Sequence, residues 1–274
     1  MDIPVTGISG FNGEIDLDAY LARIDYRGPL KAARETLFEL HRAHTTHIPF
    51  ENLDILLGRP IRLDPASLQA KLVGARRGGY CFEHNLLFAA ALQRLGFQVT
   101  GLAARVRLGG QTLRARTHML LHVTIGGEDW IADVGFGGAG LLEPISLSGG
   151  EAQQAAWRFR LVEERSTHIL QALRADGWSD LYAFTLEAQY FADYVMANHY
   201  TSTWPESPFV NRLVAQLTRP HVRWSLVDRE LTQMQPSGDS TMLLGSHNDI
   251  IETLRGRFGI ELSNGTMVPH LQRT

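Results

Sequence analysis

Cysteine is almost missing from this sequence, with one residue, Cys81, in 274. A lone cysteine excludes an internal disulfide framework. Residues 1–13 also lack the basic flank and apolar stretch of a secretory signal, so a reducing, cytoplasmic setting is expected. Charge of one sign is lacking as well: 26 Lys and Arg stand against 29 Asp and Glu, a net charge of −3. That balance gives no electrostatic footprint for nucleic acid or for an anionic membrane surface. Long hydrophobic runs are absent, since the most apolar stretch, Leu86 to Leu92, is far shorter than the roughly 20 residues that span a bilayer. Internal repeats and low-complexity linkers are absent too. What is there, 44% hydrophobic and 20% charged residues, can bury a sizeable core in one large domain or two to three small ones.

The first third has helical periodicity. Segments run over Asp16 to Ile24, over Leu30 to about Ala43, and from an Asp64-Pro65 start through Leu68, Leu72 and Val73. A fourth begins at Cys81, buries Leu86, Leu87, Phe88, Leu92 and Leu95, and stops at Gly96. From Phe97 the period changes to two, predicting strands over Val99 to Leu108, His118 to Ile125, Trp130 to Val134, Trp157 to Val162, Ile169 to Leu173 and Leu181 to Thr185. A helical patch at Glu187 to Ala197 follows, then short strands near Val222 to Val227 and Thr241 to Leu244, and a helix capped at Ser246 that runs to about Arg257. The fold class is therefore α+β, with a helical bundle over 1–96, a mostly antiparallel sheet or barrel over 97–186, and a mixed C-terminal part over 187–274.

Cys81 stands where glycine-flexed Arg77-Gly78-Gly79-Tyr80 runs into an apolar helix pattern. A helix N-terminus stabilises thiolate over thiol. An inert buried cysteine is the competing reading, but Arg76 and Arg77 before it and Glu83, His84 and Asn85 after it are unlike a core environment.

A cysteine nucleophile needs a base and a group that orients the base. Among 11 histidines, His118 opens a strand whose hairpin partner carries Asp133. With a turn at Gly126-Gly127, Asp133 falls opposite Leu120, so His118 and Asp133 are diagonal neighbours about 7–8 Å apart at the backbone. A turn at Gly127-Glu128 would separate them too far. An aspartate in an apolar strand needs a partner, and two readings stand at this point. One is Cys81, His118 and Asp133 acting together; the other is Asp133 paired with backbone or Arg116, beside a histidine that only packs.

Four blocks resemble the arylamine N-acetyltransferases. They are His47-Ile-Pro-Phe-Glu-Asn-Leu-Asp54, Arg77-Gly-Gly-Tyr-Cys-Phe-Glu-His-Asn85, Thr117-His-Met-Leu-Leu121 and Asp133-Val-Gly-Phe-Gly-Gly138. A thinner match extends through Tyr200 to Asn211. The resemblance implies a helical bundle, a β-barrel and a C-terminal α/β lid around a papain-like Cys-His-Asp core. It implies acetyl transfer from acetyl-CoA, as co-substrate, to an arylamine, arylhydrazine or arylhydroxylamine by a ping-pong route, with no metal and no prosthetic group. Carried over residue by residue, it makes Cys81 the acetylated nucleophile, His118 its ion-pair partner and proton shuttle, and Asp133 the orienting group. It further places Phe50, Phe136 and Phe209 around the aryl acceptor, where the competing reading is core packing. Gly135, Gly137 and Gly138 would lie near the coenzyme's pyrophosphate, and Glu51 and Arg77 would form an ion pair behind the site.

Two other signals are weighed beside these. His41, His44 and His47 have a spacing that suggests metal, but His47 is expected beyond the helix end, next to Pro49. His84 lacks the second cysteine of a usual zinc site and is expected on the helix surface or packed. Rival functions are a cysteine hydrolase of protease or transglutaminase type, an amide synthase fed by a carrier-bound acyl chain, and a non-catalytic binding protein. The physiological amine, acyl-chain selectivity, second oxyanion donor and oligomeric state are left open.

Overall fold

The computed structural model describes residues 8–108 and 113–262. The helical part contains α1 (Leu17–Arg23), α2 (Arg34–His47), α3 (Leu53–Leu56), α4 (Pro65–Leu68) and α5 (Cys81–Arg94), with a π-helical turn over Gln69–Gly74 continuing α4. Asp16 and Asp64 cap α1 and α4 by accepting from the Ala19 and Ser67 amides. Helix α2 starts and ends later than its periodicity suggests. Leu30 is exposed and has nothing to pack on, whereas the helix persists to His47 and breaks only at Ile48, which is extended because Pro49 follows. The three histidines 41, 44 and 47 therefore all lie on α2, contrary to the expected position of His47.

An eight-stranded antiparallel sheet follows, in the order β5-β4-β3-β2-β9-β8-β7-β6, curling into a nearly closed barrel. Its strands are β2 (Gln98–Val106), β3 (His118–Ile125), β4 (Glu128–Ala132), β5 (Ile145–Ser146), β6 (Gly150–Gln154), β7 (Trp157–Glu164), β8 (Thr167–Arg174) and β9 (Gly177–Phe184). The β3–β4 hairpin turns at Gly126-Gly127, where both φ angles are positive, as a tight hairpin turn requires. Strand β3 is buried on both faces. Met119, Leu121 and Val123 pack on the helical core, and Leu120 packs inside the barrel with Leu102, Ala104 and Ile131. This is why its sequence reads as a nearly continuous apolar run.

The C-terminal part holds α6 (Phe191–Thr203), α7 (Pro208–Asn211), β10 (Val214–Thr218), β11 (Arg223–Val227), β12 (Glu230–Met234), β13 (Ser240–Leu243) and α8 (His247–Phe258). Strands β10 to β13 form an antiparallel sheet whose edge is completed by β1 (Phe50–Glu51), a strand from the first third of the chain. Asn52 fastens this exchange: its side chain donates to the Phe209 and Arg212 carbonyls and accepts from the Val214 amide. Among the described residues no helix is long and apolar enough to cross a membrane.

Candidate active site

Cys81 is the first residue of α5, a helix whose first twelve residues are all buried. The preceding glycines serve close packing rather than unusual backbone angles. A Cβ on Gly78 would sit 1.9 Å from the Pro49 carbonyl oxygen, and one on Gly79 would sit 2.6 Å from Glu83 Oε2. Glu83 accepts from the Tyr80 amide at 3.0 Å, which caps the helix just before the thiol. Lys71 bridges Glu83 and Asp54 at 2.7 and 2.8 Å. Arg77 meets buried Glu51 at 2.7 Å, the ion pair expected from the sequence, just before the glycines that lead into α5.

His118 opens β3 against α5, and Asp133 follows β4. The register set by the Gly126-Gly127 turn ends at the Leu121–Ala132 pair, and Asp133 is the next residue. Asp133 lies one residue past the strand rather than in its middle, because its amide donates to His41 Nε2 at 3.1 Å instead of joining the ladder. His118 Nε2 is 2.7 Å from Asp133 Oδ2, and the Cys81 side chain lies close enough to the imidazole to favour its charged form. The sulfur lies 3.6 Å from the Thr117 carbonyl oxygen. All three residues are buried, Cys81 at 5%, His118 at 3% and Asp133 at 1% exposure.

Burial alone would disfavour a charged His118, but the Asp133 carboxylate and the Cys81 side chain outweigh it and push its pKa up to about 10. Burial likewise opposes ionisation of Asp133; His118, the Asn85 amide and the Gly135 amide overcome it and hold the carboxyl below its ordinary range. Asp133 Oδ1 accepts from Asn85 Nδ2 and from the Gly135 amide, each at 3.0 Å. Asn85, one turn beyond Cys81 on α5, also donates to the Met119 carbonyl and accepts from the Val134 amide. Arg116, the competing partner for Asp133, instead pairs with Glu187.

Of the three residues expected around the acceptor, Phe50 meets Phe209 and shares a void with Phe136. Phe136 packs edge-on against the His118 ring at 5.0 Å and against Tyr182 at 5.0 Å. Phe50 touches Phe209 at 5.8 Å and stacks near His84 at 6.4 Å, and Phe209 also meets Tyr80. Phe50 and Phe136 share the lining of a void of about 20 Å³ with Gly137 and Gln216, a space the size of one water. The glycines beside it are close-approach residues. A Cβ on Gly135 would lie 2.8 Å from Cys81 Cα, and one on Gly137, at φ +85°, would lie 2.2 Å from Gln216 Oε1. The Gly138 amide donates to that same Gln216 oxygen at 2.8 Å.

His84 is buried rather than exposed, bonded to His44 Nε2 through Nδ1 at 2.9 Å and to the Pro49 carbonyl through Nε2 at 3.1 Å. His44 continues to the Tyr20 hydroxyl at 2.8 Å. No group of three or more metal-ligating side chains forms among the described residues. Sequence reasoning passed over Asn85, His41 and Gln216 as parts of the site; a polar residue one turn into an otherwise apolar helix was the available signal for Asn85.

The family model described as N-acetyltransferase matches residues 34–267. An arylamine N-acetyltransferase of Mycobacterium tuberculosis is 40% identical over 257 residues, 91% of either chain. The chain belongs to the arylamine N-acetyltransferase family. A family member of Salmonella typhimurium, named arylamine N-acetyltransferase / N-hydroxyarylamine O-acetyltransferase, is 46% identical over 200 residues, 72% of this chain and 71% of that one. Among solved structures, the Nocardia farcinica arylamine N-acetyltransferase superposes with a TM-score of 0.90 at 42% identity, with both chains fully covered. The Mycobacterium marinum enzyme in complex with CoA gives 0.87 at 37% identity, covering 93% of this chain and 97% of that one. The family's N-acetyltransferase activity makes this chain an acyltransferase, and its fold is the α+β arrangement of these neighbours.

Proposed function

We propose that the chain transfers an acetyl group from acetyl-CoA to the nitrogen of an arylamine, arylhydrazine or arylhydroxylamine through an acetyl-cysteine intermediate. The observation that carries the reading is the buried chain of contacts from Cys81 through His118 to Asp133. A charged His118 beside the sulfur favours thiolate, the nucleophilic form. The thiolate attacks the thioester carbonyl; the carbon–sulfur bond to the coenzyme breaks, and the departing thiolate takes the His118 proton and leaves as free CoA. One thioester is exchanged for another, with a thiol as both nucleophile and leaving group, so this half-reaction is nearly balanced in energy. A neutral amine then attacks the acetyl-cysteine, neutral His118 accepts its proton, and Cys81 departs as thiolate with the ion pair restored. The Cys81 amide at the helix start is one oxyanion donor.

Phe50, Phe136 and Phe209 would receive the flat acceptor ring by stacking. Gly135, Gly137 and Gly138 would let the coenzyme's backbone pass close by, and the structure of the M. marinum relative in complex with CoA supports the coenzyme as donor. The three-part division follows the chemistry: 1–96 carries the nucleophile, 97–186 the histidine and aspartate, and 187–274 covers them. A single reactive thiol suits a reducing compartment, and we place the reaction in the cytoplasm.

Intact mass after mixing with acetyl-CoA alone, then with a simple arylamine, tests the reading. A single acetyl adduct that is missing in Cys81→Ala and discharged by the amine is the expected result. No adduct with acetyl-CoA would reject this donor.

A further inference from the structure

The loop that joins β4 to β5 begins at Asp133 and carries Gly135 against Cys81 and Phe136 against His118. One side chain from outside the barrel holds the loop near both ends. His41, on α2 and with no exposed surface, accepts from the Asp133 amide through Nε2 at 3.1 Å and bonds to the Leu142 carbonyl through Nδ1 at 2.9 Å. The tautomer follows from these partners: an Nε2 that accepts leaves the proton on Nδ1, where the carbonyl needs a donor. Its ring is steadied edge-on by Phe88 of α5 at 5.8 Å, the same helix that starts with Cys81. Between the two ends the loop is pinned by Gln216 to the Gly138 amide and by Arg223 to the Gly140 carbonyl at 2.9 Å.

An apolar residue would fill the His41 position without difficulty but would strand a buried N–H and a buried C=O. Metal binding is not open to this ring, since both nitrogens are engaged by backbone. We infer that His41 is a positioning residue of the site: as the neutral Nδ1–H tautomer it clasps the loop at Asp133 and Leu142 and so fixes the direction from which the Asp133 carboxylate meets His118. The inference rests on the triad reading given above. Displacement of the carboxylate by about 1 Å lowers catalysis by up to about a hundredfold through lost alignment.

The pH profile of Cys81 alkylation by iodoacetamide, with thermal melting alongside, tests it. Asp133→Asn checks the triad first: alkylation at pH 6.5 at least tenfold slower than in the wild type is expected, and an unchanged rate would reject the triad and this inference with it. His41→Phe keeps the ring against Phe88 and removes both bonds. It is expected to melt cooperatively yet alkylate at pH 6.5 about tenfold or more slowly, with kcat reduced and the profile displaced to higher pH. His41→Gln offers an amide oxygen and an amide N–H that can remake both bonds, and is expected within about threefold of wild type. A folded His41→Phe with the wild-type profile and kcat overturns the inference. Should His41→Phe not fold, His41→Gln decides: a wild-type profile supports the clasp, and a folded His41→Gln that alkylates like Asp133→Asn refutes it.

Discussion

His118 and Asp133 depend on each other for their charge. Each is buried, and burial pushes each toward its neutral form until the other's charge and the amides around them outweigh it. Asp133→Asn keeps the shape but supplies no charge, and its amide can favour the wrong imidazole tautomer. The expected outcome is normal folding with acetyl transfer reduced about a thousandfold or more, read as kcat/KM at saturating acceptor; activity within tenfold of wild type would remove Asp133 from the mechanism. Gly135 gives a second test at this scale, because a Cβ there meets the Cys81 main chain and the Asn85 amide. Gly135→Ala is expected to cost at least tenfold in the rate of Cys81 acetylation while the melting temperature falls by a few degrees at most, and unchanged acetylation would show that the loop can retreat without consequence.

At the scale of elements, the thiol is held by joints around α5. Glu83 caps the helix, Lys71 bridges Glu83 to Asp54, and Arg77 closes the network on Glu51 and Asp54. Burial works against the Lys71 charge, but Glu83, Glu51 and Asp54 together keep it firmly protonated. Removing one partner leaves a buried charge unpaired, so Arg77→Met is expected to destabilise by about 3 kcal/mol, measured by chemical denaturation. Unaltered melting would show that Glu51 finds another partner.

These joints also mark where sequence reading stops. The His118–Asp133 relation was legible because one tight turn sets the register of a local hairpin. Strand β1, two residues long, was not legible: its partner β10 lies more than 160 residues away, and neither strand has a long alternating pattern. Strands β5, β6 and β12 were missed for the same reason, since short mixed-polarity segments become strands only when a neighbour supplies the ladder. The true end of β4 was set by His41 taking an amide that periodicity assigned to the sheet.

For the whole molecule, buried histidines of opposite behaviour shape the stability. Burial, partly offset by backbone partners, lowers His41 and His84 to about 4, and burial, with His84, His41 and Arg23 nearby, holds His44 well below its ordinary value. Between their ordinary value of 6.5 and about 4, the unfolded chain binds protons that the folded chain refuses, so stability falls as pH drops through that window. His118 has the opposite sign. Its folded value of about 10 lies above 6.5, so its contribution is complete below pH 6.5 and is lost as pH rises toward 10. Asp133, depressed in the fold, contributes above its ordinary value of 3.8 and loses that contribution as pH falls through its lower folded value. Urea denaturation midpoints from pH 4 to 10 are therefore expected to peak near pH 6–7 and to decline on both sides. A midpoint that keeps rising from pH 7 to 9 would contradict the buried His118–Asp133 pair.

The sequence by itself determined the elements whose signals are local: a cysteine at a helix start, a Gly-Gly hairpin that brings a histidine and an aspartate together, caps at Asp64 and Ser246, and a change of period at Phe97. Family motifs added which aromatic rings and glycines to watch. Tertiary structure alone decided what holds them: that β1 crosses into the C-terminal sheet, that Gln216 and Arg223 reach back onto the Gly137–Gly140 turn, and that a histidine with metal-like spacing bonds to both ends of the loop that begins at Asp133. Each of these joins groups more than 75 residues apart through one or two hydrogen bonds or a two-residue ladder. Such contacts leave no periodicity in the chain; they exist because a buried N–H or C=O must find a partner wherever packing has put one.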